Sequence, residues 1–339
     1  MAVSLSADVL GRYERFSLYN SPYVAHDRGC AIDLYPDPEA EIARSPVAGE
    51  VLDTKTVNAP PKPYAAAHDH LILIDCEGYV ARTLHVDPAV EPGDRIEVGD
   101  PLGRLVRAGF FAPWVNDHIH LGFRAPNENP YRASGSLSIV PEVRPRALRW
   151  DESGTVVESA ETYAILDEPA HPEPGTFAGI AASIVPDVSN GATDDDDADA
   201  GGDESSEAKV MASGSSAGTA LAVLDGGLPH YDGGGALPAG TSRASDTSDT
   251  TALPYDSNAS DTPETSGGRV EFLNTEIGVV TDRNVAWHPV SVCANGRPIT
   301  GLSLFCARDR TFGAKLVCPK TSFERGEQVT VTVTIHRRA

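Results

Sequence analysis

Through the first 150 residues, apolar and polar positions alternate in short runs that turn-forming residues interrupt every few positions. The period of two, in runs of about five residues, is the pattern of half-buried β-strands rather than of helices. It predicts strands over 31–35, 49–54, 70–75, 79–84, 101–106 and 118–124, with Pro46, Gly49, Pro60, Pro61, Gly78, Pro92, Gly93 and Gly99 marking the turns between them. The same texture returns near the C-terminus, with strands expected over 270–273, 277–280, 290–292, 302–305, 316–318 and 329–335, and a hairpin turn at Asn295-Gly296. No stretch shows the three-to-four-residue apolar repeat of a long amphipathic helix, so the expected class is mainly β. The C-terminal part should form a small β-sandwich or barrel.

Between these regions the pattern dissolves and re-forms. Residues 1–150 read as one β domain and 151–185 as its continuation or a linker. Residues 186–216 contain the run TDDDDADAGGDESSE and are expected to be disordered, because such a segment buries too little apolar area to offset the entropy of ordering. Residues 217–237 read as a short ordered island, 238–268 as a second disordered stretch rich in Ser, Thr and Asp, and 269–339 as the C-terminal β domain. Strands from 151–185 and 220–230 are candidates to complete that domain.

Charge narrows the partners. The chain carries 27 Lys and Arg against 49 Asp and Glu, a formal balance of −22. Lys55, Lys62, Lys209, Lys315 and Lys320 are its only lysines, and acidic residues spread well beyond the 193–207 run. This is the composition of proteins from salt-loaded cytoplasm, where screening removes carboxylate repulsion, and a halophilic source is expected. Nucleic acid and anionic membranes are poor partners for such a surface. Five cysteines without a CxxC pair read as reduced thiols, and the opening MAVSLSADVLGRYERF lacks a basic segment followed by an apolar core, so a cytoplasmic location is expected. No P-loop or dinucleotide-binding glycine pattern occurs.

Chemistry concentrates in four histidines of the first half: His26 in YVAHDRGCAIDLYP, His85 in ARTLHVDP, and His118 with His120 in NDHIHLGFR. An H-x-H in a strand places both rings on one face. Asp33 can add a carboxylate oxygen, and two imidazoles with one carboxylate leave a coordination position open, the ligand count of a hydrolytic zinc site. His68 and His70 form a second H-x-H and read as a polar loop running into a strand, Asp69 as solvated, and Trp114 with Phe110 and Phe111 as a loop packed on the barrel or a wall of the groove.

The order of these pieces resembles the LytM/lysostaphin-type zinc endopeptidases. His26 and Asp33, then ARSPVAGEVL, LILIDCEGYVARTLHV, VEPGDRIEVGDPLGRL and DHIHLGFR, follow that family's sequence of motifs across the N-terminal domain. The resemblance implies a two-layer antiparallel β-groove of the duplicated hybrid-barrel fold in the N-terminal domain, a zinc ion held by His26, Asp33 and His120, and His85 and His118 as pocket histidines that polarise the attacking water and stabilise the oxyanion. It further implies a peptide or other amide substrate. The departures are a longer separation of His26 from Asp33 than the family's usual spacing, Gly122 and Arg124 in the last motif, and an inserted loop over 55–70. The alternative is a catalytically inactive hybrid-barrel binding or scaffold protein, in which the barrel recognises a partner while the acidic insert and the C-terminal β domain tether it. The C-terminal β domain is also a candidate surface for a protein partner.

Overall fold

A computed structural model of the chain describes residues 2–186, 219–240, 267–310 and 312–336. The acidic stretches expected at 186–216 and 238–268 fall, except at their margins, outside these residues. The structure is mainly β. Among the described residues, helix is limited to Ala7–Leu10 and the 3-10 segment Val24–Gly29.

The N-terminal half is built on one antiparallel sheet. Strand Ile119–Arg124 lies between Ala31–Tyr35 and Val80–Leu84, and Val80–Leu84 continues the sheet to His68–Asp75 and Gly49–Asn58. The last two form a hairpin that extends farther than the sequence suggested, so that 55–58 and 68–70 are paired backbone and 59–67 is the loop that joins them. Alternation sorts the two faces. Ile32, Leu34, Ile72, Ile74, Ala81, Ile119, Leu121 and Phe123 are buried on one side in a shared core. A small second sheet, Ile42–Arg44, Pro101–Leu105 and Val86–Pro88, covers that side and contributes Ala43, Leu102 and Val86 to the same core. The opposite face carries Asp33, His120, Leu84 and Arg82.

The C-terminal half closes on itself. Ala178–Pro186, Ala220–Leu228, Gly233–Pro238, Asn284–Trp287, Thr275–Thr281 and Gly268–Phe272 pair antiparallel in that order, and the last strand pairs back with the first, giving a six-stranded barrel. Closure removes the exposed edges that an open sheet of this size would present. Residues 220–238 are thus two consecutive barrel strands. Beside the barrel, Val290–Ala294 and Arg297–Ile299 form the hairpin at Asn295-Gly296, both with positive φ as a tight hairpin turn requires.

The halves are joined by hydrogen-bonded strands rather than by a linker alone. Arg15–Ser17 pairs with Ala31–Tyr35 on one side and with Cys306–Ala307 on the other, and Ala307 pairs with Ala178 at the start of a barrel strand. Val223 and Leu237 of the barrel pack into the N-terminal core. At Gly235 a Cβ would lie 2.3 Å from the Tyr19 ring, so only glycine permits this approach. Asp225, fully buried, accepts hydrogen bonds from the Ser17 hydroxyl and, at 2.6 Å, from the Leu18 amide. Burial pushes its carboxyl up to about 7 despite these donors. A continuous sheet and a shared core should make the halves unfold together. Calorimetry is expected to show a single transition, and Asp225→Ala, which strands two buried donors, should lower stability by about 2–3 kcal/mol; two separate transitions in the wild type would contradict this account of the junction.

Candidate metal centre

The site grows out of strand register. Asp33 and His120 are directly opposite in the antiparallel pair, so their side chains leave the same face side by side. His118 precedes the strand by one residue, at its entry rather than within it, and keeps to the His120 side. His26 arrives from the Val24–Gly29 turn. There Asp27 is extended and Arg28 and Gly29 have positive φ, 56° and 65°, so the chain doubles back before entering Ala31–Tyr35. This kink takes up the long separation between His26 and Asp33. At Gly29 a side chain would also strike Tyr19 and Arg283, so the turn needs glycine on two counts.

The donor atoms converge. Asp33 Oδ1 lies 3.0 Å from His120 Nδ1 and 3.3 Å from His26 Nε2, and the two nitrogens are 3.1 Å apart. Atoms bound to one zinc at about 2.0–2.1 Å and near-tetrahedral angles are about 3.3 Å apart. His26, Asp33 and His120 are all buried, and they are the metal-competent cluster found among the described residues. Second partners set the tautomers. His26 Nδ1 lies 2.9 Å from the Leu18 carbonyl oxygen, which can only accept, so the proton sits on Nδ1 and the Nε2 lone pair faces the centre. His118 Nδ1 makes the same bond to the Asn116 carbonyl at 2.9 Å, leaving its Nε2 3.4 Å from Asp33 Oδ1. Three lone-pair donors held this close, in a buried setting, fit a divalent cation bound by nitrogen and oxygen.

The charges around them are strongly shaped. Burial opposes ionisation of Asp33, but His118, His26 and the bonds from His120 and His26 hold its carboxyl well below the ordinary range. Burial pushes His118 and His120 down to about 4, so both are neutral near pH 7. Burial also works against a proton on His26, yet the Asp33 carboxylate outweighs it and the pKa is raised.

His85 sits between two strands at φ 70°, a left-handed conformation that costs a non-glycine residue about 1–2 kcal/mol. Asp69 holds it there. Asp69 Oδ2 is 2.7 Å from His85 Nδ1, and Oδ1 accepts from the His85 amide at 3.0 Å. The expectation that Asp69 is solvated is therefore corrected: it is fully buried. His70 stays at the margin, 3.6 Å from Asp87.

A groove of about 190 Å³ opens over these groups. Phe110, Phe111, Val115, Tyr23 and Val24 form its apolar walls, and the Tyr23 hydroxyl donates to the Phe110 carbonyl at 3.1 Å. Phe111 stacks on His118 at 4.4 Å between centroids, with Tyr35 at 4.9 Å. Phe110 and Phe111 thus wall the groove, whereas Trp114 packs on His230 of the barrel. The C-terminal half also braces the site from behind. Leu18, whose amide is held by Asp225, is the residue whose carbonyl fixes His26. Lys315, pushed down to about 7 by burial and by Arg15, donates to the Trp114 carbonyl at 2.6 Å and to Asn116 Oδ1 at 3.0 Å. Asn116 in turn orients His118.

Comparisons with known proteins add a family. No curated protein matches the chain. Among solved structures it is similar to lysostaphin in solution, at 13% identity over 52% of this chain and 67% of that one, with a TM-score of 0.23, a likeness too slight to carry an argument. Two family models, both described as a domain of unknown function, match residues 4–141 as the N-terminal domain of DUF8155 and residues 146–334 as its C-terminal domain. The chain belongs to the DUF8155 family.

Proposed function

We propose that this protein is a zinc-dependent hydrolase of peptide or related amide bonds, of the LytM/lysostaphin type. His26, Asp33 and His120 would hold the metal, and His85 and His118 would act beside it. The observation that carries the reading is the triangle of His26 Nε2, His120 Nδ1 and Asp33 Oδ1, with sides of 3.0–3.3 Å. The order of sequence motifs around those residues supports it.

When bound, zinc would supply a Lewis acid able to bring the pKa of water to near neutrality. The chain's own groups divide the remaining work. His118, neutral at pH 7 with its Nδ1 proton committed to Asn116, has Nε2 free to accept a proton. His85 is backed by the buried Asp69 carboxylate, which offsets positive charge on its ring, so it can donate a hydrogen bond to oxygen that becomes negative during attack. Phe110, Phe111 and Val115 limit water around these groups, which strengthens each electrostatic contact.

Two outcomes are expected. Purified protein should contain about one zinc per chain and cleave peptides in a chelator-sensitive way, while His120→Ala and Asp33→Ala should fold yet lose the metal by elemental analysis. Wild type that folds without zinc would defeat the proposal. His85→Ala should keep its zinc but lose about a hundred- to ten-thousand-fold in turnover. Asp69→Asn should lose roughly ten- to a hundred-fold, as measured by steady-state kinetics beside metal content.

A further inference from the structure

Arg82 is a buried cation that the chemistry above does not use. It lies on the groove face of the sheet, directly opposite Gly122 and two residues from Leu84, which is opposite His120. Only 4% of its surface is exposed, and it contributes to the groove lining. Among the described residues its guanidinium makes one hydrogen bond, from Nε to the Pro130 carbonyl at 2.5 Å, and no carboxylate pairs with it. Its charged neighbour is another cation, Arg124, whose own donors go to Ser136 Oγ and the Arg132 carbonyl. In a chain with 49 acidic residues, the absence of an acidic partner at this position stands out.

Burying an unpaired guanidinium is costly, and Arg remains charged because its pKa, lowered to about 10 by burial and by Arg124, is still above neutrality. A fixed planar cation with unused N–H donors, facing an apolar groove, is suited to a planar anion that it can grip at two points. Its place on the strand sets where that anion belongs. Two residues of strand span about 7 Å, so a ligand whose amide lies at His120 reaches Arg82 within about two residues of extended peptide.

We infer that Arg82 is the anchor of a carboxylate subsite, and that the groove takes peptides bearing a carboxylate within about two residues of the bond placed at the metal centre. This deepens the hydrolase reading and rests on it for the position of that bond. The carboxylate can be a peptide C-terminus or an acidic side chain. Both offer the same two oxygens.

The test is calorimetric binding to the full chain at pH 8, as purified and after chelator treatment, with zinc content measured on the same samples. The probes are acetyl-triglycine as free acid and as amide, and acetyl-Gly-Glu-amide against acetyl-Gly-Gln-amide. In wild type at least one carboxylate probe is expected to bind about tenfold or more tightly than its neutral partner, with and without metal. The preferred pair distinguishes terminus from side chain. Arg82→Met should abolish the preference, and Arg82→Lys should retain part of it. Circular dichroism melts check that each variant is folded, and if Arg82→Met does not fold, the wild-type and Arg82→Lys comparisons decide. Equal binding within both pairs, no binding of any probe, or a preference that survives in folded Arg82→Met would overturn the inference. A carboxylate preference in protein that takes up no zinc would sink the hydrolase reading alone, and zinc without a preference would sink this one alone.

Discussion

Asp33 and His120 face each other across one antiparallel strand pair, and the candidate centre depends on that register. A slip of one residue would turn His120 into the core and bring Leu121 or Ile119 into the groove, so the hydrophobic alternation that fills the core also aims the ligands. The apolar residues between them are therefore part of the site's construction. Phe123, Leu121 and Ile119 are fully buried on the far face, and they hold the strand in the one register that points His120 toward Asp33. His26 needs a separate device, the left-handed turn at Arg28 and Gly29, because no strand position could bring a third donor to the same point.

Lone pairs crowded together in a buried setting repel unless a cation or proton lies between them, and the fold commits considerable structure to keeping them there. Three of the rings are tied on their far sides: His26 to the Leu18 carbonyl, His118 to that of Asn116, His85 to Asp69. Two of these ties lead into the C-terminal half, through Asp225 to Leu18 and through Lys315 to Asn116. The C-terminal half is thus the backing of the groove as well as a neighbour to it, and Tyr231 adds one of its side chains to the lining. Preorganisation of this kind keeps a site from collapsing onto itself before substrate arrives.

Much of this was legible in the sequence, for physical reasons. Period-two alternation located most strands of the N-terminal sheet, and the order of motifs around His26, Asp33, His85, His118 and His120 drew together residues far apart in the chain. Asp69 was misread although the signal was present: its position continues the alternation of Leu71 and Leu73, which places it on the groove side with no solvent to meet. Asp225, a lone acid inside the run AVLDGGL, could also have been recognised as a buried carboxylate in need of donors. Arg82 gave no such sign, because nothing local says that an arginine in ARTLHV lacks an acidic partner. Closure of the barrel was hidden for another reason. Its strands are separated in sequence by acidic and Ser/Thr-rich stretches, so the pairing of Ala178–Pro186 with Gly268–Phe272 is a long-range fact that local pattern does not carry.

The account comes down to a single divalent ion shared by two imidazoles and one carboxylate. Zinc X-ray absorption on the loaded protein tests this most directly, since it reads the metal's neighbours without needing a substrate. The account predicts only nitrogen and oxygen at about 2.0–2.1 Å, with the outer-shell scattering of two imidazole rings. A sulfur neighbour at about 2.3 Å, or a spectrum without imidazole scattering, would place the metal elsewhere and contradict it.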